Sequence, residues 1–181
     1  MSPRHAARPS RRLSAKELRQ RAARIALVLT DSDGVLTDTG VYYGADGETM
    51  KRFSIRDGMG VERLRAAGVE TAILTGELSP SVRRRAEKLQ MRFLYLGIKD
   101  KSEHLKIVCQ ETGFSLEQLA FIGDDMNDLE IVRKLTPVSL TGAPGDAIPA
   151  IAREVTHRCR NRGGYGAFRE FAEWILELRL K

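Results

Sequence analysis

Leu27-Val28-Leu29-Thr30-Asp31-Ser32-Asp33-Gly34-Val35-Leu36-Thr37-Asp38 decides how the rest of the chain is read. An apolar run from Ile25 to Leu29 stops at two carboxylates spaced two apart, and a glycine follows. A short apolar run bounded by turn residues signals a buried strand, and Gly34 lets the chain turn sharply as it leaves the sheet. The pattern therefore predicts Asp31 and Asp33 at the carboxyl end of a strand, where open α/β sheets place their ligands. Asp-x-Asp-Gly also hints at a calcium loop. That reading fails, because position five would be Val35 and position twelve Tyr42, where an oxygen ligand and a glutamate are required.

Outward from this strand (25–30) the chain alternates. Ser14-Ala15-Lys16-Glu17 fits a capping box that opens a short helix to about Ala23. Gly40 to Phe53 reads as a hairpin turning at Asp46-Gly47, a small flap beside the carboxylate pair. Helices are expected over 57–67, 81–89 (with Pro80 in the first turn), 100–111, 128–134, 145–152 and 165–178. Further strands are expected over 69–74, 92–96, 119–122 and 138–140, and Ser115 to Gln118 offers another capping box. The alternation implies an α/β fold: a Rossmann-like parallel sheet with helices on both faces and the small β-hairpin flap, with no second domain.

The 181 residues suit one domain, with 42% apolar and 30% charged side chains, ordinary for a globular protein. The net charge of +6 is local: residues 1–24 carry eight basic side chains and one acidic, and the rest of the chain carries 22 and 23. The organisation expected is a basic arm with a short leading helix over 1–24 and a single domain over 25–181. The arm is Arg-rich like an organelle transit peptide, but the reading carried forward is a solvated arm. It has no aromatic platform for nucleic acid. No signal-peptide core and no run of the ~20 apolar residues that a membrane span needs is present, so neither membrane nor nucleic acid is an expected partner. Cys109 and Cys159 make no metal or redox spacing, consistent with free thiols in a reducing cytoplasm.

Four strand ends or helix starts deliver a consistent set: Asp31 and Asp33; Thr75-Gly76; Lys101; and Asp124, Asp125 and Asp128. Clustered carboxylates repel by about 4 kcal/mol per pair at ~4 Å and an effective dielectric of about 20. Something positive must sit among them, and an oxygen-rich site suits Mg²⁺. A lysine and a hydroxyl beside it are what a phosphoryl group needs for its outer oxygens. Taken singly, Gly-Asp-Asp is a turn, Thr75 is uninformative and Lys101 is a solvated lysine; together and in this order they point to one site.

In this order the set resembles the four motifs of the haloacid dehalogenase-like hydrolases. Asp33-Gly34-Val35-Leu36-Thr37-Asp38, Arg56-Asp57-Gly58, Thr75-Gly76, Lys99-Asp100-Lys101 and Arg162-Gly163-Gly164 bring it closer to the 3-deoxy-D-manno-octulosonate 8-phosphate phosphatase family, over about residues 18–178. The resemblance implies no large cap domain, and a homotetramer with hairpins at the interface and neighbouring subunits completing each site. It implies Asp31 as the nucleophile that forms an aspartyl-phosphate and Asp33 as the general acid and base. Mg²⁺ would be held by Asp31, Asp124 and the Asp33 backbone carbonyl, with Thr75 and Lys101 on the phosphoryl oxygens. Asp125 and Asp128 would orient Lys101 and metal-coordinated water. Arg56, Gly76, Arg162 and Gly163 would contribute to substrate binding, Arg162 on a tail that closes over a neighbour's site.

One departure bears on the substrate. Octulosonate phosphatases usually carry Thr-Gly-Arg, and this chain has Thr75-Gly76-Glu77. With Val82 to Leu89 this looks like a sister branch acting on nine-carbon ulosonate 9-phosphates, with Glu77, Arg85 and Lys88 as selecting residues. The expected substrate is thus the phosphate monoester of a 3-deoxy-2-ulosonic acid of eight or nine carbons. A signalling receiver domain also gathers aspartates, a threonine and a lysine around Mg²⁺, but it has no use for a general acid two residues after the nucleophile. A non-catalytic oligomerisation module of the same fold is the other alternative, and such modules tend to lose the motif residues that are intact here.

Overall fold

The computed structural model describes residues 13–180; the greater part of the basic arm, residues 1–12, lies outside the described residues. The chain begins with α1 (Ala15–Arg24), capped by Ser14 and Glu17 in the expected reciprocal box. It continues as β1 (Leu27–Thr30), a hairpin of β2 (Thr37–Gly44) and β3 (Gly47–Phe53), α2 (Ile55–Ala66) and β4 (Glu70–Leu74). Then come α3 (Pro80–Lys88), β5 (Phe93–Tyr95), α4 (Lys101–Thr112) and β6 (Leu119–Ile122). The last elements are α5 (Leu129–Leu135), β7 (Leu140–Ala143), α6 (Pro149–Ala152), β8 (His157–Arg158) and α7 (Ala167–Arg179).

Six strands form one parallel sheet in the order β5-β4-β1-β6-β7-β8, and β2 and β3 form a separate antiparallel ribbon. This is the α/β architecture expected from the alternation. The chain builds from β1 towards β4 and β5, then returns to the other side of β1 with β6, β7 and β8. The switch point lies between β1 and β6, where open sheets leave a crevice beyond the carboxyl ends.

All four residues of β1 are buried, and their alternation feeds two cores. Val28, Ile73, Ala120, Ile122 and Leu140 face the side covered by α1, α2, α3 and α7, where Val61, Leu64, Val82, Phe168, Phe171 and Ile175 meet them. Leu27, Leu29, Leu74, Leu119 and Phe121 face the other side, against Leu105 and Val108 of α4, Ile131, Val132 and Leu135 of α5 and Ile151 of α6. Each fully buried aliphatic side chain contributes about 1.5–3 kcal/mol, which fixes β1 as the rigid post from which Asp31 projects.

Several boundaries differ from the sequence-based expectation. The strand expected over 138–140 is displaced to Leu140–Ala143, because the Val138 and Ser139 amides both return to the Leu135 carbonyl and hold the chain in a turn. The two-residue β8 was not expected. The helix expected over 145–152 is confined to Pro149–Ala152, since Gly145 and Asp146 are occupied with Asn161 and Gly163. The hairpin begins at Thr37 rather than Gly40 and turns at Ala45-Asp46, pairing Gly44 with Gly47. Helix α2 starts at Ile55 behind its cap Ser54, so Asp57 lies inside it. The buried Asp57 carboxylate accepts from the amides of Gly166 (3.1 Å) and Arg169 (3.0 Å), satisfying donors at the start of α7.

The described part of the basic segment is not merely solvated. Ala22 is buried, and the Arg21 guanidinium donates to the carbonyls of Thr136, Pro137 and Ser139 at 2.6–2.7 Å, tying α1 to the segment after α5. Among the described residues, no helix is long and apolar enough to cross a membrane.

Candidate active site

Thr30 is in register with Ile73 of β4 and Ile122 of β6, so Asp31 emerges at the switch point. Its amide donates to the Ile122 carbonyl at 3.0 Å, and its Oδ1 accepts from the Ser32 amide at 2.7 Å. Lys101, the first residue of α4, reaches the same oxygen from across the sheet. Its ammonium stands 2.8 Å from Asp31 Oδ1 and 2.6 Å from Asp128 Oδ1, and its side chain is 1% exposed. Asp128 spends its other oxygen on the amides of Asp124 (2.9 Å) and Asp125 (3.4 Å), which shapes the loop after β6.

Three carboxylates thereby converge: one oxygen each of Asp31, Asp124 and Asp128 lie within 4.8 Å of one another. Burial pushes the Asp31 carboxyl above the ordinary range, and the Asp128 charge adds to this against the opposing pull of Lys101. Asp124 is pushed up to about 8, by burial first and then by Asp31, Asp128 and Asp125. Lys101 is lowered by burial, but the two aspartates outweigh this and hold it charged. One lysine does not balance the cluster. Oδ1 of Asp124 is buried with no hydrogen-bond partner. A hard oxygen donor without a partner, next to carboxylates that resist ionising, fits a divalent cation with oxygen preference. Asp31 and Asp124 have oxygens for it; those of Asp128 are already committed.

The approach of the two loops depends on glycine. Gly34 has φ +92°, and a Cβ there would fall 1.9 Å from Asp124 Oδ2. A Cβ at Gly163 would fall 1.9 Å from the Gly34 carbonyl oxygen, so the 163–164 turn buttresses the acidic loop from behind. Gly163→Ala is expected to destabilise the protein by about 1–3 kcal/mol and to weaken divalent-cation affinity, read by thermal unfolding with and without the ion. An unchanged unfolding temperature would mean the two loops do not depend on this contact.

Thr75 follows β4 and is buried; its hydroxyl oxygen accepts from the Glu77 amide at 3.3 Å. Asp33 is 24% exposed at the mouth, and both its oxygens are held: Oδ1 by the Thr37 hydroxyl at 3.0 Å and Oδ2 by the Lys51 ammonium at 2.5 Å. Lys51, Thr37 and Glu48 were not expected from sequence. The available signal was period two along β3, which puts Lys51 on the same side as the half-buried Phe53.

Other expected residues go elsewhere. Asp125 is exposed and caps the 126–128 turn through the Met126 amide, so of the expected orienting pair only Asp128 touches Lys101. Arg85 donates to the Ser54 carbonyl at 2.8 Å, and Arg162 pairs with Asp146 at 3.1 Å. Glu77 is exposed, 3.8 Å from Lys99, whose ammonium also donates to the Gly76 carbonyl at 2.8 Å. Arg56 and Lys88 are exposed. Gly163 donates its amide to Asp146 at 2.9 Å and has the packing role described above. In a second group of possible ligands, His157, Cys159 and Glu170, two are committed internally: Glu170 accepts from the Arg160 and Asn161 amides, and the Cys159 thiol donates to the Ala167 carbonyl, while His157 stacks on Trp174 with its Nε2 buried and without a hydrogen-bond partner.

No family model matches the chain. The 3-deoxy-D-manno-octulosonate 8-phosphate phosphatase of Haemophilus influenzae is 37% identical over 164 residues, which is 91% of this chain and 89% of that protein. The cobalt-bound structure of the H. influenzae deoxy-D-mannose-octulosonate 8-phosphate phosphatase matches with a TM-score of 0.83, covering 90% of this chain and 93% of that one. The corresponding phosphatase from Moraxella catarrhalis, solved with magnesium, phosphate and KDO, matches with a TM-score of 0.84 at 33% identity, covering 91% and 93%. With this likeness running along nearly the whole fold, the chain belongs to the 3-deoxy-D-manno-octulosonate 8-phosphate phosphatase family, within the haloacid dehalogenase-like hydrolases.

Proposed function

We propose that this chain hydrolyses the phosphate monoester of a 3-deoxy-2-ulosonic acid, with residues 25–181 acting as one phosphatase domain. The observation that carries the reading is the convergence of Asp31, Lys101, Asp128 and Asp124 at the switch point, with Asp33 held at the mouth. Asp31 attacks phosphorus, its Oδ1 fixed by the Ser32 amide and Lys101. An aspartyl-phosphate forms on Asp31 and the sugar oxygen leaves, taking a proton from Asp33. Asp33 then removes a proton from the water that attacks the acyl-phosphate. Lys101 and the Thr75 hydroxyl bind the outer oxygens of the phosphoryl group as its charge redistributes. Mg²⁺, held by Asp31, Asp124 and the Asp33 carbonyl, supplies charge neutralisation between the phosphate dianion and the nucleophile when bound.

The relatives support an eight-carbon substrate. Glu77, where an arginine is usual, supports the nine-carbon 9-phosphates, because an anion in place of a cation changes which sugar hydroxyls or carboxylate can pair there. The test is a phosphate-release screen over eight- and nine-carbon ulosonate phosphates with Mg²⁺. Release from neither class would reject the reading. Glu77→Arg is expected to shift the kcat/KM ratio towards the eight-carbon ester by about tenfold, on the order of one charge contact. An unchanged ratio would remove Glu77 from substrate selection.

Assembly as a homotetramer is part of this proposal. Tyr42, Tyr43 and Met50 expose apolar surface on the hairpin, which supports contact between subunits through that element. Arg56, Arg85, Lys88 and Arg162 would then act at a site completed by neighbouring subunits. A cytoplasmic location is supported by the free thiols of Cys109 and Cys159.

A further inference from the structure

We propose that Lys51, held by Glu48, is a positioning residue for the proton donor Asp33; this rests on the reading of Asp33 as general acid. The hairpin is exposed along most of its length, yet the Lys51 side chain is 2% exposed. A lysine is almost never buried unless it is paired. This one donates to Asp33 Oδ2 at 2.5 Å and stands 3.5 Å from Glu48 Oε2. The other Asp33 oxygen accepts from Thr37, so the carboxylate is gripped on both sides by the hairpin and not by the sheet that carries it. Glu48 in turn accepts from the Ser79 hydroxyl at 2.5 Å, and Ser79 is the buried cap of α3.

A chain of polar contacts thus runs from Asp33 through Lys51 and Glu48 to Ser79, two residues beyond Glu77. A proton donor on a turn must be held within a fraction of an ångström of the leaving oxygen, and displacement by about 1 Å can cost on the order of 10²-fold. Gly34 gives the acidic turn no side chain of its own with which to restrain Asp33. The hairpin supplies that restraint, and Lys51 is the contact through which it does so.

The test compares kcat/KM, with Mg²⁺ present, for a ulosonate phosphate, whose alcohol leaves poorly, and p-nitrophenyl phosphate, whose phenolate leaves without protonation. Lys51→Met is expected to lower the first on the order of 10²-fold and the second by no more than about threefold. Lys51→Arg, which keeps a donor there, is expected to recover most of the loss. Asp33→Asn must show the same split; without it the general-acid reading falls. A split in Asp33→Asn with equal losses, or none, in Lys51→Met would overturn the Lys51 assignment alone. Glu48→Gln keeps the ammonium but loosens it. It carries the same comparison should Lys51→Met not fold, with an expected split of about tenfold, and its absence would equally overturn the assignment.

Discussion

Asp31→Asn is expected to lower phosphate release on the order of 10⁴-fold or more while leaving the fold intact. The asparagine retains the side-chain oxygen that accepts from Ser32 and Lys101, and it loses only the charge that attacks phosphorus. Burial already holds the Asp31 carboxyl above its ordinary range, and the neighbouring Asp128 raises it further. Removing that charge relieves repulsion, so the metal-free variant is expected to unfold at a temperature no lower than the parent. Stabilisation by Mg²⁺ should weaken, since one of the oxygens proposed for the ion becomes neutral. Phosphate release within about tenfold of the parent would remove Asp31 as nucleophile.

Lys101→Met is expected to abolish turnover and to cost about 3–5 kcal/mol of stability, the usual consequence of stranding buried carboxylates without their cation. In a chain of this length that lowers the unfolding temperature by about 6–20 °C. The cost depends on pH with a definite sign. Without Lys101, burial and the neighbouring Asp128 charge push Asp31 upward unopposed. Acids whose folded pKa is raised contribute stability that is present below the unfolded value and lost as pH rises through the folded value. The deficit of Lys101→Met is therefore smallest at mildly acidic pH and grows towards alkaline pH. Lys101 itself, with its pKa raised, keeps its charge throughout that window. The parent carries a milder version of the same effect: Asp124, pushed up to about 8, makes the metal-free protein lose stability as pH rises through that value, and Mg²⁺ should reverse the trend. Thermal unfolding across pH, with EDTA or Mg²⁺, reads all of this. A deficit independent of pH would contradict the pairing of Lys101 with ionised Asp31.

The strand behind Asp31 was legible because a buried central strand is written as an uninterrupted apolar run that ends at a turn, and β1 has that form on both faces. The meeting of Asp31, Lys101 and Asp128 was legible for a related reason, since each stands at a strand end or helix start that a parallel sheet gathers on one edge. Strand β7 was less so. Thr141-Gly142-Ala143 has weak strand character and is held by its neighbours, whereas Val138, the better strand former, is bent into a turn by Leu135. Lys51 was illegible because a charge in a hairpin ordinarily faces water, and only the fold of the ribbon onto Asp33 buries it. Arg85 shows the converse. The resemblance to the nine-carbon branch offered it as a selecting residue, and its hydrogen bond to the Ser54 carbonyl, which ties α3 to the cap of α2, has no signal in the sequence.

Borohydride quenching during turnover tests the central claim most directly. An acyl-phosphate on an aspartate is reduced to homoserine, which peptide mass spectrometry locates in the chain. With an accepted ulosonate phosphate and Mg²⁺ present, homoserine is expected at position 31 and not at 33, 124, 125 or 128. Reduction at any of those other positions, or none at 31 while phosphate is being released, would contradict the account.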